Sequence, residues 1–239
     1  MGLYLIILAS TDTFYRGNYI LHDTEWRRGA GCQFLGVLTT VSCQMSMFTL
    51  FALAWDRYFA VMSPLSYQLR STRHVWMISG GLWCVSFLIA LVPVVVPSLK
   101  EFYGKNALCM PFIFTDSKSA GWEYATAIFV GLNGLCIVIM IALYGAIYCR
   151  VRESQMDMGR NDRSDLVVAK RLSLVLLTNI ISWIPLIMAN VISLATVPLT
   201  RDMATMLTGV LLPLNPAINP YLYTFSSCVR RNSGNFKTT

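Results

Sequence analysis

Residues 29–55 read GAGCQFLGVLTTVSCQMSMFTLFALAW, without one Asp, Glu, Lys or Arg, and run directly into Asp56-Arg57-Tyr58. As an α-helix this stretch rises about 40 Å, more than the roughly 30 Å hydrocarbon core of a bilayer. A buried helix of a soluble domain seldom needs such length, so the stretch predicts a membrane span. Four further blocks share its character. Residues 74–99, 124–149, 172–200 and 203–229 carry no formal charge over 26, 26, 29 and 27 residues. Each is long enough to cross with some tilt. An N-terminal block, residues 1–11, is too short to cross and reads as the last turns of a helix that begins elsewhere. It is not a secretory signal, because no basic residue precedes it and no small-residue cleavage site follows.

The whole chain agrees with these blocks. Of 239 residues 55% are hydrophobic and 13% charged, and the mean hydropathy is +0.55. Soluble domains carry roughly 25% charged residues. A soluble globule, a disordered chain, a collagen and a coiled coil are therefore excluded. The expectation is an all-α membrane protein, since helices satisfy their backbone groups within lipid.

Lys and Arg set the orientation, because cytoplasmic loops carry their excess. With the loop after Thr11 outside, the inner set is Arg57, Arg70, Arg73, Arg150, Arg152, Arg160, Arg163, Lys170, Arg171, Arg230, Arg231 and Lys237. The outer set is Arg16, Arg27, Arg28, Lys100, Lys105, Lys118 and Arg201. Twelve against seven favours an external first loop and a cytoplasmic C-terminus. Topology thus accounts for the net charge of +7. No basic patch interleaved with aromatics points to nucleic acid.

Seven cysteines, an odd number, exclude a complete disulfide framework. Cys43, Cys84, Cys136, Cys149 and Cys228 lie in spans or at inner ends, where a reduced thiol is expected. Cys32, at the outer mouth of a span, and Cys109, in the longest outer loop, face an oxidising compartment that favours their pairing. Cys228, beside Arg230 and Arg231, is a candidate for S-acylation. No His or Cys stands at metal-ligand spacing, no nucleophile elbow or phosphate loop appears, and neither an enzyme nor a cofactor is expected.

From Cys32 to Arg57 is 25 residues, about 37 Å of helix. One helix therefore carries the outer cysteine at one end and Asp56-Arg57-Tyr58 at the other. Arg57 is permanently charged and costly at that depth unless it pairs or reaches water. Spacing alone leaves open a snorkelling Arg57 beside Asp56. Near the inner end of the last span lies Asn219-Pro220-Tyr221-Leu222-Tyr223, with Asn215 one turn earlier. Trp183 stands two residues before Pro185 in the preceding span. Asp165 precedes Trp183 by five helical turns, about 27 Å, on the same face. Such a helix, charged at its foot and hinged at mid-height, can act as a lever; a packed Trp beside a structural Pro is the plainer alternative.

Asp56-Arg57-Tyr58, Trp183-x-Pro185 and Asn219-Pro220-x-x-Tyr223, together with Cys32 and Cys109, resemble the rhodopsin-like G-protein-coupled receptors along essentially the whole chain. Met1-Gly2-Leu3-Tyr4-Leu5, Arg16-Gly17-Asn18-Tyr19, the run from Tyr103 to Cys109, Ala169-Lys170-Arg171 and Leu212-Pro213-Leu214-Asn215 are similar to the leucine-rich-repeat-containing branch, most of all to relaxin receptors. The resemblance implies a seven-helix bundle lacking the first helix and most of the second. Residues 1–229 then form the partial receptor domain, with spans at about 1–11, 29–57, 74–97, 123–149, 170–197 and 203–226, and residues 230–239 begin the tail. The intramembrane Asp that completes the family's sodium pocket is missing, although Ser46, Asn215 and Asn219 match its other walls. The fifth span lacks the Pro of many family members, while Tyr144 matches their inner tyrosine.

The resemblance further implies a receptor in the plasma membrane that passes an extracellular peptide-hormone signal to a heterotrimeric G protein. At rest Arg57 is expected to pair with Asp56, and with Asp165 across the inner mouth. Activation swings the lower half of the Pro185 helix outward, with Tyr144 and Tyr223 stabilising the open form. The alternative is a truncated, non-signalling receptor fragment that at most associates with a full-length partner. A transporter or channel is disfavoured, because no span carries an ionisable residue near its middle and no inverted repeat shows.

Overall fold

In the computed structural model the described residues are 25–63, 67, 71–99, 101–105, 109–112, 120–158, 163–195, 203, 207, 210 and 211, with side chains 154–176 excepted. Among them every long element is a helix. Helix α1, Ala30–Met62, starts after Gly29, whose φ and ψ of −72° and 157° are extended, and ends where the Ser63 N–H reaches the Phe59 carbonyl. Helix α2, Thr72–Val95, is capped by Ser71, whose hydroxyl oxygen accepts from the Arg73 N–H at 3.4 Å. Two short 3₁₀ turns, Pro97–Leu99 and Tyr103–Lys105, follow in the outer loop.

The next rod has three parts. Helix α3, Trp122–Ala125, opens on Gly121 in the left-handed conformation with φ of 96°. A π-helical segment, Thr126–Leu132, continues it, and helix α4, Asn133–Met158, completes it. Helix α5, Arg163–Ala195, contains Pro185. Among the described residues three helices are long and apolar enough to cross a membrane, Ala30–Met62, Thr72–Val95 and Trp122–Glu153, and Leu177–Ser193 is a shorter apolar helix. The spans expected at 1–11 and 203–226 lie outside the described residues, apart from four isolated positions of the second.

Helix α1 packs against α2 and α4, and α5 packs against α4 and the π segment. Half of the apolar window of α1 is buried within the protein, against 17% for α2. Helix α1 is thus the central post and α2 a peripheral one. Its exposed Trp76, Met77, Leu88 and Val95 suit lipid rather than water. The polar residues of the central post are satisfied locally where they can be. Thr39 and Thr40 donate to the carbonyls of Leu35 and Gly36, both at 2.8 Å.

The inner boundaries differ from the charge-based reading. Helix α1 runs on past Arg57 to Met62, so the Asp56-Arg57-Tyr58 motif lies inside a helix rather than at its end. The inner loop expected at residues 150–171 is mostly helix, because α4 continues to Met158 and α5 starts at Arg163. Charge marks where lipid ends, whereas helix persists into water wherever residues of good propensity continue it.

Candidate functional site

The outer end is built around Cys32 and Cys109, which form a disulfide with Cα atoms 5.3 Å apart. Cys43, Cys84, Cys136 and Cys149 stay reduced. Tyr103 sits beneath this bridge, fully buried although it belongs to a loop. Its phenol donates to the Ala90 carbonyl of α2 at 2.7 Å and lies 3.1 Å from the Thr40 hydroxyl of α1. Burial pushes the Tyr103 phenol up to about 12, with the Thr40 contact opposing the rise. It is therefore neutral at physiological pH and able to donate. The ring lies directly on Gly36, where a Cβ would fall 2.2 Å from it. Only glycine leaves that space.

Beyond the disulfide the loop turns inward. Cys109, Met110 and Phe112 are buried, and Cys109 holds φ of 50°, an unusual value for a residue with a Cβ. The Phe112 ring packs on Phe129 of the π segment, with centroids 4.4 Å apart. Phe129 lies over Trp183 of α5 at 6.3 Å, with planes 15° apart. All three rings are at most 3% exposed. They form a continuous aromatic column from the outer loop to Trp183, two residues before the expected hinge at Pro185. Beside it Thr126 donates to Asn190 at 3.4 Å, tying the π segment to α5.

Below Trp183, Ser182 donates to the Thr178 carbonyl at 3.0 Å. This back-bond and the missing N–H of Pro185 loosen the same two turns of α5. One turn lower, the Asn179 amide reaches the Met47 sulfur at 3.9 Å, joining α5 to the central post.

At the inner end the expected partner of Arg57 is elsewhere. Asp56 accepts a hydrogen bond from the Tyr67 hydroxyl at 3.0 Å. Among the described residues Arg57 makes no ion pair, and its Nε is buried without a hydrogen-bond partner. Among the described residues, Asp56 and Arg57 are not paired in this structure. The two residues are consecutive on a helix, and their side chains diverge. Tyr58 packs edge-on against Phe59 at 5.8 Å. Ser46 and Tyr144 are partly buried. Asp165 lies on the inner extension of α5, and its side chain is outside the described set. Asn215, Asn219, Pro220, Tyr223 and Cys228 fall outside the described residues, so the sodium pocket is described only at Ser46. Among the described residues no group of three His, Cys, Asp or Glu could hold a metal.

Sequence reasoning missed Phe129, Phe112, Tyr103 and Tyr67. A π turn shifts the phase of every later side chain, and a plain periodicity does not reveal it. The fifth span lacks the Pro of many family members, and its backbone is distorted at 126–132 without one.

Comparisons with known proteins agree with this geometry. The family model for the 7 transmembrane receptor (rhodopsin family) matches residues 3–223. The chain is 31% identical over 99% of its length to the G-protein coupled receptor GRL101 of Lymnaea stagnalis, of which the match covers 22%. It is 28% identical over 95% of its length to relaxin receptor 1 of Mus musculus, covering 31% of that protein. It is also 30% identical over 94% of its length to a probable glycoprotein hormone G-protein coupled receptor of Anthopleura elegantissima, covering 24%. The chain thus spans less than a third of the length of these curated relatives. With the aromatic column above Trp183, the Asp56-Arg57-Tyr58 motif on the central post and a family match across nearly all its residues, this chain belongs to the rhodopsin family of seven-transmembrane receptors.

Proposed function

We propose that this chain is the membrane core of a receptor that converts the binding of an extracellular peptide hormone, of the relaxin-like class, into nucleotide exchange on a heterotrimeric G protein. The observation that carries the reading is the continuous stack of Phe112, Phe129 and Trp183, which links the outer loop to the Pro185 turn of α5. A ligand acts only through its different affinity for two arrangements of the bundle. A disulfide-held loop resting on Phe129, and through it on Trp183, gives the outside a contact through which to bias them. The helix carrying Trp183 reaches the inner side, where Arg57 has an unpartnered buried Nε.

In the resting arrangement Asp56 is held by Tyr67, and Asp165 of α5 restrains Arg57. In the active arrangement the lower half of α5 moves outward and Arg57 faces the G protein, with Tyr144 and Tyr223 supporting the opened mouth. Hormone capture is proposed for the whole receptor, as this chain spans less than a third of the length of these relatives. The test is a nucleotide-exchange assay in cells that express the whole receptor and receive a relaxin-like peptide. Exchange that rises with hormone and vanishes in Arg57→Ala at equal surface expression supports the reading. Equal exchange in both contradicts it.

A further inference from the structure

Helix α2 contains Pro93, which has no N–H to give to the carbonyl of residue 89. The Ile89 carbonyl is thus an acceptor orphaned by the sequence itself. In an apolar surrounding such a group is rarely left unpaired. The acceptor is taken by the Tyr124 hydroxyl, from a different helix 35 residues further along. Tyr124 lies in α3, two residues before the π segment and five before Phe129. Its ring packs edge-on against Phe102 at 5.3 Å, which in turn meets Tyr103 at 5.3 Å.

We propose that Tyr124 stands in for the amide that Pro93 lacks, and that this clamp is the positioning contact that sets the π segment so that Phe129 lies over Trp183. Two features support the second half. Tyr124 joins the first turn of the rod 122–158 to α2, just after Gly121 turns the chain, while Thr126 ties the π segment to α5. The Tyr124 bond falls at the upper boundary of the π turn, where a fixed anchor decides on which side the extra residue is accommodated. Among the described residues Tyr124 meets Ile89 and Phe102 rather than Trp183 or the inner motif, so its effect runs through Phe129. The clamp stands on the geometry of α2 and α3 alone. Only its consequence for signalling rests on the reading of Trp183 as a switch.

The test uses the receptor in lipid nanodiscs with 4-fluorophenylalanine at position 129, and compares Tyr124→Phe, Pro93→Ala and the double variant. Tyr124→Phe is expected to shift the fluorine resonance of residue 129 and to lower the thermal midpoint by about 2–4 °C, the scale of one lost hydrogen bond in a protein of this size. In the Pro93→Ala background, where residue 93 regains an N–H, the same substitution is expected to lower the midpoint by less than half as much. Equal losses in both backgrounds, or an unmoved resonance, overturn the clamp. Should Pro93→Ala fail to fold, isotope-edited infrared spectroscopy of a ¹³C-labelled Ile89 carbonyl decides the matter. Its band rises in frequency in Tyr124→Phe if the bond exists, and an unchanged band overturns it. Hormone-driven nucleotide exchange is read on the same variants. A clamp present by midpoint and resonance with unaltered exchange supports the clamp and counts against the switch reading instead.

Discussion

Tyr103 is a loop residue with no exposed surface, and it shows how single side chains fix the outer end of this receptor. Removing its hydroxyl takes away the hydrogen bond to the Ala90 carbonyl, a net loss of about 0.5–1.5 kcal/mol. Tyr103→Phe is therefore expected to lower the thermal midpoint in detergent or nanodiscs, and Gly36→Ala to lower it further, because a Cβ there meets the ring at 2.2 Å. An unshifted midpoint in Gly36→Ala would show that the ring does not rest on α1. The phenol also predicts an alkaline limit. Its ordinary value is about 10 and burial pushes it up to about 12. The neutral buried form favours the fold fully below the lower value, and the benefit is lost as pH rises toward the upper one. Midpoints measured from pH 8 to 11 should fall more steeply in the native receptor than in Tyr103→Phe. Of these residues the sequence revealed little. The cysteines could be paired by compartment and placement, whereas a tyrosine in a polar loop carries no mark of burial until the backbone of α1 opposite it is known.

Among the elements, the π segment is the part on which the site depends. It aims Phe129 at Trp183, and Phe→Ala in a packed core costs about 3–5 kcal/mol. Phe129→Ala is expected to alter both stability and the Trp183 environment. The change is read as the fluorescence difference between that variant with and without Trp183→Phe. A Trp183 signal identical to that of the native receptor would refute the stack. At the inner end of α1, Asp56→Ala and Tyr67→Phe break one and the same bond. Both should raise ligand-independent exchange at matched surface expression, and the double variant should do no more than either alone. Additive effects would mean that Asp56 and Tyr67 act separately. The helices were legible from charge-free length, and the motif on α1 from its spacing to Cys32. The helical continuation to Met62 was not, since the charges of Asp56 and Arg57 mark the edge of lipid and say nothing of where backbone hydrogen bonding stops. The diverging Asp56 and Arg57 side chains were foreseeable from helical geometry alone, as neighbours one residue apart do not face each other.

For the molecule as a whole, the central claim is that a stack of three rings below a disulfide-held loop joins the outside to Arg57 through the Pro185 helix. The membrane character, the orientation and the family follow from charge distribution and motif order. The internal coupling does not, because it depends on which rings meet across the outer loop, the π segment and α5 rather than on any local pattern. The most direct measurement is hormone-stimulated nucleotide exchange on a purified heterotrimeric G protein by the whole receptor in nanodiscs, comparing the native sequence with Phe112→Ala, Trp183→Ala and Arg57→Ala. The account predicts that Arg57→Ala abolishes exchange, and that Phe112→Ala and Trp183→Ala each reduce the hormone-dependent part at least tenfold, or about 1.4 kcal/mol of coupling, while folded receptor remains in the disc. Full hormone-dependent exchange by Phe112→Ala and Trp183→Ala would contradict it.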